Sequence, residues 1–158
     1  MKIKLKTLSL NTYNVDNRKQ YRFVDEMKND PLVKEFVSEI TDHYLIKAKN
    51  DEQIEIGSSY LVSEQKKLVG YIRLNELDVN GVLTLHYAVH PDLRKQGYGT
   101  KILVEVSDYA FKNIDRVTKI RLYIRNYNKG SIKCAEHAGF KLQKNLIEEN
   151  PLVYVKTK

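Results

Sequence analysis

The residues of this chain that could do chemistry gather in one stretch, AVHPDLRKQGYGTKILVEV, residues 88–106. Its apolar opening reads as the end of a strand. Pro91 has no amide hydrogen with which to continue a ladder, and Ile102, Leu103 and Val106 recur at helical spacing. A loop carrying Arg94, Lys95, Gln96, Gly97, Tyr98, Gly99 and Thr100 therefore runs directly from a strand into a helix. The first amides of a helix have no intrahelical acceptor and stand at the positive end of its dipole. Such a loop can hold a phosphate, with Arg94 and Lys95 adding full charges. Glycine suits positions 97 and 99 because a Cβ would obstruct the approach of an anion or forbid positive φ. Taken alone, the two glycines are also compatible with a turn that only lets a helix begin.

The elements that must position this loop follow from periodicity. Ile3, Leu5, Leu8 and Leu10 among lysines predict one half-buried opening strand. Tyr21, Val24 and Met27 mark a first helix. Asp30-Pro31 is a start signal for a second, whose apolar face carries Leu32, Val33, Phe36, Val37 and Ile40. From about residue 54 the period becomes strand-like. IEIGSSYLVSE and KLVGYIRLNEL are joined by a polar turn, and Asn80-Gly81 makes a tight turn into GVLTLHYAVH, which completes an antiparallel meander. The helix at 100–114 is followed by a strand over KIRLYIR, so the passage from 82 to 125 is a parallel crossover. A short helix from Asn128, a good N-cap, ends at Gly139, and two short strands separated by Asn150-Pro151 close the chain. The expected order is strand, two helices, three strands, helix, strand, helix, two strands. This is a mixed α/β (α+β) sheet forming a single domain over residues 1–158.

With those elements in place, the loop resembles the signature of the GCN5-related N-acetyltransferases (GNAT). That signature is Arg or Gln, two residues, Gly, one residue, then Gly or Ala, and Arg94-Lys95-Gln96-Gly97-Tyr98-Gly99 fills every position. AVHPDL before it looks like the end of the family's fourth strand. In NKGSIKCAEHAGF, residues Asn128, Ser131, Gly139 and Phe140 fall at the spacing of the family's second motif. The resemblance covers residues 68–140, and the element order extends it along the chain. It implies a GNAT-like fold and acetyl transfer from acetyl-CoA to a primary amine by direct attack in a ternary complex. The pyrophosphate would rest on the amides of residues 94–100. The pantetheine arm would lie where strand 82–90 splays from strand 119–125, along the backbone of Tyr87, Ala88 and Val89 and beside Asn128. No metal is expected.

For catalysis the resemblance carries a departure. Many family members protonate the leaving thiolate with a tyrosine seven residues after the motif's Asn, and that position here is Ala135. Ser131 resembles a hydroxyl used by some relatives, but a serine at a helix start also serves as an amide cap. Tyr127 follows the strand and could reach the cleft or stand exposed. Cys134, a lone thiol, reads as a packing residue. Leu83 and Leu85 lie where family members carry a base, and His86 points to the opposite face by alternation. His90 and His137 have weaker claims. Ala135 and the two leucines leave a catalytically silent CoA-binding module as the alternative. The acceptor is an amine-bearing small molecule or a protein amine. A rim of Asp42, Asp51, Glu52, Glu55, Glu148 and Glu149 would attract a cation or is ordinary solvated surface.

Composition bounds the rest. At 158 residues, with 42% hydrophobic and 30% charged, the chain can bury a core without staples, and one cysteine excludes an internal disulfide and fits a reducing, cytoplasmic setting. No apolar run is long enough to span a bilayer, so no membrane is expected. Residues 94–144 hold twelve Lys and Arg against four Asp and Glu, a net +8 in a chain of net +7. The excess thus sits with the motifs. It carries no nucleic-acid recognition motif or aromatic stacking platform, which makes coenzyme A the expected polyanion rather than nucleic acid.

Overall fold

The computed structural model describes residues 2–36, 54–143 and 150–158. Helix α1 (Arg18–Asn29) starts where the Asn17 side chain accepts from the Gln20 amide, and it buries Phe23, Val24 and Met27. These three make a tighter stripe than the predicted one, and Tyr21 is left 49% exposed. Helix α2 (Pro31–Phe36) is capped as expected, with Asp30 Oδ2 accepting from the Val33 amide at 3.0 Å. Val33 is buried and Leu32 is exposed, which narrows the expected face. Val37, Ile40 and the side chain of Phe36 lie outside the described residues.

Strands β1 (Lys2–Lys4) and β2 (Leu8–Asn11) pair as an antiparallel hairpin, a correction to the single opening strand. The step from Leu5 to Leu8 breaks the period of two, and the chain turns there, with Leu5 N donating to Leu8 O at 2.9 Å. Strands β3 (Ser59–Glu64), β4 (Lys67–Leu77) and β5 (Val82–Val89) form the antiparallel meander. β3 begins at Ser59 rather than Ile54 because Gly57, at φ +87°, turns the chain before it. The turn into β5 is held by Asp78, whose Oδ1 accepts from the amides of Asn80 and Val82 at 2.8 and 3.0 Å. After a single helical turn at Pro91–Leu93 come α3 (Tyr98–Asn113), β6 (Lys119–Ile124), α4 (Lys129–His137), β7 (Lys141–Leu142) and β8 (Leu152–Thr157).

The sheet order is β1-β2-β3-β4-β5-β6-β8-β7. One face, including Leu10, Val62, Ile72, Leu85 and Ile120, is packed with α3 and α4 through Ile102, Leu103, Val106, Ala135 and Ala138. On the other face, Leu61, Tyr71 and Ala88 meet Phe23, Val24, Met27 and Val33 of α1 and α2. β5 and β6 are parallel, but their register runs only from Val82↔Lys119 to Thr84↔Arg121. β4 stays with β5 as far as Gly70↔Val89, and β8 stays with β6 as far as Ile124↔Leu152. The sheet therefore opens in its middle while both flanks remain paired. Among the described residues no helix is long and apolar enough to cross a membrane.

Glu105 of α3 ties the far edge of the sheet to this frame. Its carboxylate accepts from the amides of Thr7 and Leu8, both at 2.9 Å, and from the Thr7 hydroxyl. Burial pushes the carboxyl up, but the hydrogen bonds from Thr7 and Leu8 outweigh it and hold the group below the ordinary carboxylate value. A group depressed on folding contributes stability above its unfolded value and loses it as pH falls through the folded one. Glu105→Gln, which removes the charge that both amides meet at Oε2 and sets an NH2 group against the Thr7 hydroxyl, should lower the unfolding free energy by about 1–3 kcal/mol in urea titrations at neutral pH. The difference between the two proteins should shrink as the solution is acidified below the ordinary carboxylate range.

Candidate active site

The loop between β5 and α3 has the backbone of an anion cradle. Lys95 and Gly97 both take positive φ, +62° and +84°. Gly97 is the N-cap of α3 and supplies no side-chain cap, so the amides of Tyr98, Gly99 and Thr100 keep their hydrogens for an external acceptor. A Cβ built at Gly97 would meet nothing within 4 Å, so the space over the loop is open.

Gly99 does different work from the one expected. It lies inside α3 and is buried, and a Cβ there would stand 2.7 Å from Cys134 Sγ and 3.4 Å from Tyr87 Cε2. Its missing side chain lets the first turn of α3 settle against α4 and β5 and does not face the anion. Cys134 is thereby the packing residue that its sequence context suggested.

Arg94 does not point freely at the cradle. Its Nη2 donates to Asp30 Oδ2 at 2.6 Å, and that hydrogen bond holds the Asp30 carboxyl below its ordinary value despite burial. A second link runs beside it. His90 is buried, its Nδ1 accepts from the Asp92 amide at 3.2 Å, and its Nε2 lies 2.8 Å from Glu26 Oε2. With Nδ1 accepting, Nε2 carries the proton and donates to the carboxylate. The Phe23 ring packs on the His90 ring at 5.0 Å. Both ends of the segment 90–94 are thus fastened to the α1–α2 corner.

Tyr87, Ala88 and Val89 lie on β5 beyond the last pair with β6, so their backbone borders the opening. Asn128 is the N-cap of α4, its Oδ1 accepting from the Ser131 amide at 3.2 Å, and this use of the oxygen leaves the side-chain NH2 group available. Because Asn128 caps the Ser131 amide, Ser131 is no cap itself. Its Oγ lies 2.8 Å from Tyr87 Oη, a contact between α4 and β5 that spans the opening. Burial, and then Cys134, push the Tyr87 hydroxyl well above the ordinary phenol value, against the opposing effect of Ser131. Tyr127 is 49% exposed in the loop before α4. His86 stands opposite Arg73 in the β4–β5 register, on the α1–α2 face and away from the Tyr87–Ser131 contact. Leu83, Leu85 and Ala135 are fully buried in the core under α3.

The sequence reading did not find the Tyr87–Ser131 contact, the packing role of Gly99 or the Asp30 partner of Arg94. Alternation from Leu83 and Leu85 does place Tyr87 on the α3–α4 face, but no local signal reports a contact 44 positions away. Of the acidic rim, Asp42, Asp51, Glu52, Glu148 and Glu149 lie outside the described residues. Glu55 is described, with its amide donating to Tyr60 Oη at 2.9 Å. Basic side chains also gather outside residues 94–144: Arg18, Lys19, Arg22 and Lys67 line a cavity of about 560 Å³ with Phe23, Glu26 and Leu68.

Residues 16–140 match the model of the acetyltransferase (GNAT) family. No protein of curated function matches the chain. A GNAT-family acetyltransferase from Bacillus anthracis shares the fold at a TM-score of 0.74 and 18% identity, over 99% of this chain and 98% of that one. The aminoglycoside acetyltransferase AAC(6')-Ib, solved with paromomycin and acetyl-CoA, aligns at 0.72 and 20% identity, over 97% and 94%. RimL, a ribosomal L7/L12 α-N-protein acetyltransferase solved with coenzyme A, aligns at 0.69 and 13%, over 99% and 98%. At these identities the solved structures are likenesses of fold.

Gly99→Ala should cost about 1–3 kcal/mol of stability, because Cys134 Sγ must move to admit the methyl group. Thermal melts of Gly99→Ala, Cys134→Ala and the double variant test this. The double variant should be more stable than the two single effects added, since removing Sγ opens the space that the new Cβ needs.

Proposed function

The chain belongs to the GNAT family of acetyltransferases, and from that premise we propose that it transfers the acetyl group of acetyl-CoA to a primary amine, the whole chain acting as one catalytic domain. The observation that carries this reading is the parting of β5 from β6 directly below the uncapped first turn of α3. A thioester with a long amide-bearing arm and a pyrophosphate fits such a site. The amides of Tyr98, Gly99 and Thr100 and the charge of Lys95 would hold the pyrophosphate. The backbone edge at Tyr87, Ala88 and Val89 would pair with the arm, and the Asn128 NH2 group would donate to it.

Arg94 enters this reading in an altered role. Engaged by Asp30, it fixes the loop in the cradle conformation and lends its field at a distance. Preorganised amides lose little on binding an anion, which is where such a loop gains over free water. Transfer by direct attack then relies on holding donor and amine together, a contribution that reaches about 7–11 kcal/mol in well-aligned systems. Its demands on side-chain acid–base chemistry are correspondingly small, worth about 10²–10⁴-fold. Ser131 is the hydroxyl best supported for the sulfur side, because it borders the opening and is not used as a cap. Tyr127 and His86 are less well supported, one by its exposure and the other by its face of the sheet. The acceptor is a small molecule or a protein bearing an amine. The single cysteine accords with work in the cytoplasm.

Wild-type protein mixed with acetyl-CoA and a panel of amines should release thiol only when an accepted amine is present. Calorimetry with coenzyme A should show binding that Gly97→Glu weakens by more than about tenfold, since the new carboxylate faces the pyrophosphate. The fold should survive at a cost of about 1–2 kcal/mol for the left-handed backbone. Absence of coenzyme A binding by the wild type would overturn the reading. Tight binding with no turnover on any amine would select a catalytically silent module instead.

A further inference from the structure

We propose that Tyr87 is a positioning residue that aims the Ser131 hydroxyl at the sulfur of coenzyme A, so that the departing thiolate is received by a hydrogen bond from Ser131. The proposal rests on the acetyl-transfer reading above and adds to it a residue that the sequence motifs do not contain.

The geometry is specific to this pair. Tyr87 lies three positions past Thr84, the last β5 residue paired with β6. Ser131 lies in the first turn of α4, which follows β6. Their oxygens are 2.8 Å apart, so the contact bridges the two sides of the opening at its α3–α4 face. A tyrosine hydroxyl has one hydrogen to give and a serine hydroxyl has one to give and lone pairs to accept with. When Tyr87 donates to Ser131 Oγ, the Ser131 hydrogen is turned away from Tyr87 and is free to donate elsewhere. The Ser131 oxygen is not needed as an acceptor at the helix start, because Asn128 already serves the Ser131 amide. Tyr87 is also held from the other side. Its ring is close to the Gly99 backbone, and Cys134, one helical turn from Ser131, stands beside it. Burial keeps the phenol protonated across the working range, so Tyr87 retains a hydrogen that it can give to Ser131 Oγ.

In the step itself the amine nitrogen attacks the thioester carbonyl carbon and the N–C bond forms. The C–S bond then breaks with its electron pair going to sulfur. Ser131 Oγ–H donates to that developing charge and keeps its proton. The nitrogen gives up its proton to water, and the thiolate takes one from water. The hydroxyl pair thus acts by placing a dipole where charge appears, and no tyrosinate need form.

A hydrogen bond that favours the thiolate lowers the pKa of the bound thiol, which can be read without any amine. The ultraviolet absorbance of the thiolate is titrated in complexes with coenzyme A, with the desulfo-coenzyme A complex subtracted to remove Cys134. In the wild type the bound thiol should titrate below the free one. Ser131→Ala should raise it by about one pH unit, Ser131→Thr should restore it, Tyr87→Phe should raise it part of the way, and Tyr87→Phe with Ser131→Ala should match Ser131→Ala alone. Equal titrations in all variants that bind coenzyme A would overturn the proposal. So would a Tyr87→Phe effect that persists in full without Ser131. If Tyr87→Phe does not fold, the Tyr87 ring resonances of the wild type are followed by NMR. They should move on adding coenzyme A and not desulfo-coenzyme A, and identical responses to the two would count against the proposal. A wild type that binds neither compound refutes the acetyl-CoA reading itself and is recognised by calorimetry before any titration.

Discussion

The structure depends on one interruption, the loss of the β5–β6 ladder after Thr84↔Arg121 in the middle of a sheet that has eight strands among the described residues. Backbone groups left without partners inside a protein are costly, so a sheet does not part in this way unless each strand is secured elsewhere. Both are. β5 keeps its antiparallel partner β4 to its last residue, and β6 keeps β8 along its whole length. At the last shared pair the side chains reinforce the backbone, with Arg121 donating to Thr84 Oγ1 from Nε and Nη2 at 3.2 and 3.0 Å. Above that point α4 packs into the core through Ala135 and Ala138, and β6 cannot swing back toward β5 without displacing it. The opening is a built feature of two firm walls.

What stands over the opening follows from the same arrangement. β5 must hand the chain to α3 across its upper end, and the handover carries the two positive-φ residues of the loop. Helix ends and loops are the parts of a fold that move most readily. Here the segment 90–94 that leads into the loop is fastened at both ends to the α1–α2 corner, by Arg94 to Asp30 and by His90 to Glu26, and Gly99 seats the helix start on α4. The signature residues thus serve two ends: the backbone of Tyr98, Gly99 and Thr100 leaves its amides uncapped, and the Arg94 side chain and the bare Cα of Gly99 hold that backbone still. The chain's positive excess is accordingly less concentrated at this loop than the count over residues 94–144 implied. Arg94 is neutralised by Asp30, Lys101 pairs with Glu64, and Arg121 lies 3.5 Å from Glu76.

Most of the architecture was legible because its signals are local. Period-two runs marked β3, β4 and β5, Asn80-Gly81 marked their turn, and Asn128 with Gly139 bounded α4 to within a residue. The opening hairpin was missed because its turn is held by Glu105, 97 positions away, and a run of near-alternating apolar residues looks the same whether or not it folds back. The loop's glycines were found by spacing, but spacing cannot tell a glycine that needs positive φ from one that needs closeness. Gly97 is the first kind and Gly99 the second. The partners of Arg94 and Ser131 are tertiary and left no trace in periodicity or motif.

The absence of a tyrosine on α4 has a packing explanation. Ala135 is fully buried among core residues, and the amide of Phe140 donates to its carbonyl at 2.9 Å. Enlarging a residue in such a position forces neighbours off their preferred rotamers, at about 1–3 kcal/mol. This chain therefore cannot raise an aromatic hydroxyl from Ala135 without loosening the α3–α4 contact that keeps the opening apart. A tyrosine on β5 avoids that conflict. Tyr87 enters from the strand, where alternation already directs a side chain toward α4, and its ring fits beside the helix start that Gly99 leaves bare. Its hydroxyl lies 2.8 Å from Ser131 Oγ, and in the proposed reading the aromatic group supports a smaller hydroxyl in place of acting alone. In the proposed reading the hydroxyl of α4 stands at Ser131 and not at Ala135, a position that the buried packing of the core leaves no room to enlarge.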